Sequence, residues 1–149
     1  MYLNNKTLNT SVEIVSISTK TKLPLPLINQ GISAGFPSPA SDFIDIAIDL
    51  NKHLIKHPSS TFFGRVKGDS MIKVGISDGD LLVIDKSINP ANNKIAVCFI
   101  DGEFTVKKIK LEKNRCWLVP ENDAYKAIEV TEENNFLIWG IVVHVIKSF

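Results

Sequence analysis

Residues 94–111 read KIAVCFIDGEFTVKKIKL, two apolar runs on either side of an Asp101-Gly102 pair. Asp and Gly are the residues that most readily supply the positive φ of a two-residue turn, so the pair predicts a tight antiparallel hairpin. Its strands are expected over Lys94 to Ile100 and Glu103 to Leu111. Side chains alternate along a strand, which places Thr105, Lys107, Ile109 and Leu111 on one face and Phe104, Val106, Lys108 and Lys110 on the other. Lys107 thus falls mid-strand in mainly apolar company.

The same grammar extends outward. Short apolar runs at Thr61 to Lys67, Leu81 to Asp85, Cys116 to Pro120 and Phe136 to Ile146 are separated by Gly75, Asp78-Gly79 and Pro90. Six or seven short strands with little helix predict a mostly β, largely antiparallel, compact fold. Upstream, Ile44, Ile46, Ile48 and Leu50 alternate as in a short strand. Asp49 is placed to cap a brief helix through Leu50, Leu54 and Ile55 that Pro58 terminates. Residues 1–40 differ in composition: Pro24, Pro26, Pro37 and Pro39 forbid helix, and Gly31 and Gly35 loosen the chain. The expected organisation is an extended, mobile arm over 1–40 and a β-rich domain over 41–149. The alternation of Val12, Ile14 and Ile17 could still add a strand to a sheet edge.

Composition sets limits on function. With 149 residues, 44% apolar and 22% charged, the chain has the makeup of one ordinary globular domain. A net charge of +1, with dispersed lysines, argues against binding DNA by electrostatics alone. No apolar stretch reaches the length of a membrane span and no signal-peptide pattern opens the chain, so a cytoplasmic location is expected. Cys98 and Cys116 lack metal-ligand or redox spacing and read as free thiols. His53 and His57, four residues apart, lack a third ligand, so neither a metal nor a cofactor is expected.

Lys67-Gly68-Asp69-Ser70-Met71 follows a strand and precedes a potential helical turn, which exposes a hydroxyl where backbone N–H groups can face an anionic oxygen. Alone it is an ordinary turn sequence. Lys107, likewise, would by itself be read as a lysine whose ammonium reaches out to water. If burial lowers its pKa, however, Lys107 becomes a general base for a nucleophilic Ser70. No histidine is placed for a Ser-His-Asp arrangement.

Taken in order, AGFPSP (34–39), GDSM (68–71), GISDGDLL (75–82) and DGEFTVKK (101–108) resemble the UmuD family, within the LexA-like self-cleaving serine peptidases. The resemblance runs from Ala34 to Lys147. It implies a curled, largely antiparallel LexA/UmuD-like fold with an N-terminal arm. It further implies Ser70 as nucleophile, Lys107 as base and Ala34-Gly35 as the scissile bond; on physical grounds, the backbone N–H groups of Asp69 and Ser70 are the expected oxyanion donors. A homodimer, a RecA filament on single-stranded DNA that promotes cleavage in the SOS response, and a UmuC-type translesion DNA polymerase as partner are implied as well. Ala at position 34 matches the LexA-type repressors, whereas the best-known UmuD has Cys there. Residues 1–33 are too short and too poor in helix for a repressor's helix-turn-helix, so no sequence-specific DNA binding is expected. The competing reading is a non-enzymatic dimeric polymerase cofactor with a vestigial catalytic pair.

Overall fold

The computed structural model describes residues 12–22, 24–27, 32, 34–35 and 46–149. Its strands are β1 (Val12–Ser16), β2 (Pro24–Leu27), β3 (Ile46–Asp49), β4 (Thr61–Val66), β5 (Leu81–Asp85), β6 (Ile95–Ile100), β7 (Glu103–Glu112), β8 (Arg115–Val119), β9 (Ile128–Val130) and β10 (Phe136–Ile146), with one short helix, α1 (Leu50–Leu54). The described residues form two compact units, one of Val12–Ile17 with Ser59–Phe149 and the other within Ser18–Pro58.

The larger unit is an eight-stranded sheet in the order β1-β4-β5-β10-β6-β7-β8-β9, with every neighbouring pair antiparallel. The Asp101-Gly102 turn joins β6 and β7 as expected: both residues take positive φ (49° and 89°), and Ile100 pairs directly with Glu103. The Asp101 carboxylate also accepts from Asn134 Nδ2 (2.7 Å) and the Asn135 N–H (2.9 Å), so the hairpin tip holds the turn that enters β10. β10 pairs with β6 through its first half and β5 through its second, with register shifts at Ile138/Gly140 and Val142/His144. Such bulges bend a long strand, and here they curl the sheet.

Curling gives the sheet two apolar faces. One cluster gathers Val12, Val66, Met71, Ile76, Leu82, Ile84, Val97 and Val106; the other gathers Ala96, Cys98, Ile100, Ile109, Leu118 and Ile141. The alternation in β7 sorts Val106 to the first and Ile109 to the second. Cys98 and Cys116 are both free thiols, the former buried.

The edge strand anticipated from Val12 and Ile14 is β1, which adds to β4. Gly64 makes that approach possible: a Cβ there would lie 2.4 Å from Val12 Cγ1 and 2.9 Å from Ile84 Cδ1. The smaller unit contains the β2–β3 pair and α1. Pro24 and Pro26, two residues apart, present their missing N–H groups to the same side, leaving Leu25 and Leu27 to bond β3. Asp49 caps α1 by accepting from the Asn51 N–H at 3.0 Å, as the sequence predicts, and α1 stops before Pro58. The strand expected from Ile44 is observed from Ile46; Ile44, Gly31, Pro37 and Pro39 lie outside the described residues.

Replacing Gly64 by Ala should destabilise the protein by about 1–3 kcal/mol in chemical denaturation, because the new methyl meets branched side chains in a packed core. The loss should shrink in a Val12→Ala background. An equal loss in both backgrounds would contradict the close approach of β1.

Candidate active site

Ser70 lies on a loop that leaves β4 and returns at β5. Its neck is closed by the Val66 N–H donating to Asp80 O (2.9 Å) and the Gly79 N–H donating to Val66 O (2.8 Å). Gly68 takes φ +93°, which turns the chain out of the strand, and its N–H donates to Asp78 Oδ1 at 2.7 Å. After Ser70, the buried Met71 anchors a 3₁₀ turn, Ile72–Val74, that ends on Gly75 at φ +79°. The strand-to-turn placement read from GDSM is therefore present, but Ser70 is fully buried rather than exposed.

A second segment grips this loop from the other side. The Glu121 N–H donates to Ser70 O (2.8 Å), and the Lys73 N–H donates to Glu121 O (2.9 Å). Asn122 Nδ2 donates to Asp69 O (2.9 Å), and the Tyr125 hydroxyl donates to Asp69 Oδ1 (2.6 Å). Glu121 also forms an ion pair with Lys108 on β7. Because a trans peptide points its N–H opposite to its C=O, fixing the Asp69 carbonyl also fixes the direction of the Ser70 N–H. Asn122 and Tyr125 carry no periodic signal, and only their proximity in the fold reveals this contribution.

Lys107 is 1% exposed. Its Nζ lies 3.0 Å from Ser70 Oγ, 2.9 Å from Thr105 Oγ1 and 3.1 Å from Val106 O. Thr105, two residues earlier on the same strand face, is legible from alternation as a neighbour of Lys107. The three contacts suit a neutral amine: its two N–H bonds can serve Val106 O and Thr105 Oγ1, leaving the lone pair to accept the Ser70 O–H. Burial pushes the Lys107 pKa down from 10.5 to about 8. The one opposing influence is negative charge on Cys98, whose own pKa desolvation, chiefly, raises to about 12. Near neutral pH that thiol is uncharged and does not offset the desolvation of Lys107.

Ala34 and Gly35 lie at an exposed bend, and a Cβ at Gly35 would meet nothing within 4 Å. They belong to the smaller unit, whereas Ser70 and Lys107 belong to the larger. His53 and His57 are exposed, and among the described residues no three His, Cys, Asp or Glu side chains come together as a metal site. No helix among them is long and apolar enough to cross a membrane.

The lysine's burial should be visible in stability. Between its folded pKa of about 8 and its unfolded value of 10.5, the unfolded chain binds the extra proton, so Lys107 makes folding more favourable as pH rises through that window. Below it, the full penalty applies. Lys107→Met should therefore be more stable than wild type at pH 7, with the gap closing by on the order of 3 kcal/mol toward pH 10.5. Denaturant titrations of both proteins across this range check it; a gap that does not change with pH would contradict it.

Residues 26–143 match the Peptidase S24-like family. The chain is 42% identical to Protein SamA of Salmonella typhimurium over 83% of this chain and 87% of that one. It is 43% identical to Protein ImpA of Escherichia coli, covering 81% and 82%, and 40% identical to Protein MucA of the same organism, covering 80% and 82%. The antiparallel curled sheet and these similarities agree with the resemblance carried by the four motifs. The chain belongs to the Peptidase S24-like family, as a UmuD-type member of the LexA-like serine peptidases.

Proposed function

We propose that this protein is a self-cleaving peptidase in which Ser70 is the nucleophile and Lys107 the general base, and that it cuts its own chain between Ala34 and Gly35. The observation that carries the proposal is the 3.0 Å approach of Lys107 Nζ to Ser70 Oγ inside a site closed to solvent. Neutral Lys107 takes the Ser70 proton as Oγ bonds to the Ala34 carbonyl carbon. The resulting oxyanion is held by the Asp69 and Ser70 N–H groups. Lys107 then returns its proton to the Gly35 nitrogen as the peptide bond breaks, leaving Ala34 esterified to Ser70. A water molecule, deprotonated by Lys107, releases Ala34 as a carboxylate and restores the serine.

A substrate on the same chain has a high effective concentration, so a weakly basic pair without a deep specificity pocket suffices for a slow, single cut. By family, a RecA filament on single-stranded DNA promotes the step during the SOS response in the cytoplasm. The shortened chain then serves, as a homodimer, a UmuC-type polymerase in translesion synthesis.

Purified protein held at alkaline pH, or with RecA, an ATP analogue and single-stranded DNA, should yield a fragment spanning Gly35–Phe149 by mass spectrometry. The alkaline rate should climb as pH passes through about 8, where Lys107 loses its proton, and then level. Ser70→Ala should abolish it, and Lys107→Ala should slow it by about 10²–10⁴-fold. An intact wild-type chain under both conditions would leave the non-enzymatic cofactor reading in its place.

A further inference from the structure

β1 precedes the Ala34-Gly35 bond in the chain, yet it is built into the sheet that carries Ser70 and Lys107. All five of its residues pair with β4, from Val12 opposite Val66 to Ser16 opposite Phe62. Val12 is 6% exposed and belongs to the same apolar cluster as Val66, Met71 and Val106, with Ile14 packed against that cluster. Gly64, opposite Ile14, leaves the space that the Val12 methyl fills. Glu13 stands directly opposite Arg65, an opposite-charge pair across the strands. The chain leaves this unit after Ile17 and returns at Ser59, so Ala34-Gly35 lies in a stretch attached to the larger unit at both ends.

We infer that the β4 edge is a binding site for the protein's own N-terminal fragment, and that cutting the chain after Ala34 leaves that fragment seated there as β1. The inference rests on the cleavage reading for its biological setting. Hydrolysis removes the covalent link through 18–58 but none of the five-residue β1–β4 ladder or the Val12 contact, and the β2–β3 pairing also spans the cut. Cleavage and release are then separate steps. Only release uncovers the hydrogen-bonding edge of β4 and the apolar surface over Val66 and Met71, immediately beside Ser70. The cut protein thus has two states, one with β1 held and one with the edge open.

The test avoids self-cleavage altogether. In full-length Ser70→Ala protein, a recognition sequence for a site-specific protease is inserted between Ala34 and Gly35, and the added protease makes the cut. Native mass spectrometry and gel filtration should show the N-terminal fragment travelling with the remainder, and denaturing electrophoresis should separate the two. Val12→Asp should speed release by about tenfold or more, since burying that side chain is what the seat provides. As a second arm that needs no altered fold, excess synthetic peptide spanning 10–18 should displace a labelled fragment from the cut but otherwise unaltered Ser70→Ala protein. Release at the same rate with and without the Val12→Asp substitution and unaffected by the peptide, whether immediate or slowed by the β2–β3 pairing alone, would overturn the inference. Because the cut is imposed, that result would leave the Ser70–Lys107 proposal standing, and failure of self-cleavage would leave this one standing.

Discussion

The buried amine of Lys107 is the constraint around which the rest of the structure is arranged. A lysine in water at pH 7 is charged and cannot act as a base; an apolar surround makes the neutral form accessible. β7 supplies that surround because it lies inside the sheet, between β6 and β8, with an apolar cluster on each face. Thr105 Oγ1 and Val106 O give the amine polar partners, so it is buried without being orphaned. Cys98 shares the buried face and stays a thiol, which adds no compensating charge near neutral pH. The same desolvation that would favour Lys107 as a base disfavours folding, a cost placed at the proposed reactive centre.

Closure is the second requirement, and two loops share it. The loop from Lys67 to Gly79 brings Ser70 over Lys107, while Glu121, Asn122 and Tyr125 fix its carbonyls and the Asp69 carboxylate. Glu121 and Asn122 act on the backbone on either side of the serine peptide, and Tyr125 acts on the Asp69 side chain. In the proposed mechanism this arrangement orients N–H groups before any substrate arrives, which is where electrostatic stabilisation of an oxyanion gains most.

Much of this is legible in the sequence where local chemistry decides structure. Asp101-Gly102, the β5 and β10 boundaries and the Asp49 cap follow from turn preferences, alternation and capping. β9 escapes such reading, because three residues are too short to show a period, and β2 reads only as extended because its prolines mask strand character. The division into two units, with β1 on the far side of Ala34-Gly35 but inside the larger one, depends on long-range pairing with Gly64 that no local pattern encodes. The Ser70–Lys107 contact lies between residues on separate elements; alternation places Lys107 on an apolar face, and the motif resemblance pairs it with Ser70. Thr105 follows from strand geometry. Asn122 and Tyr125 do not, since polar loop residues look alike until the fold brings them to Asp69.

The fold lowers the Lys107 pKa from 10.5 to about 8, which makes the neutral amine accessible near neutral pH. Side-chain NMR of protein labelled at lysine, in the Ser70→Ala form so that the chain stays intact, reports that ionisation directly. The expected result is a Lys107 titration with its midpoint near pH 8. A midpoint at the ordinary lysine value of about 10.5 would contradict it.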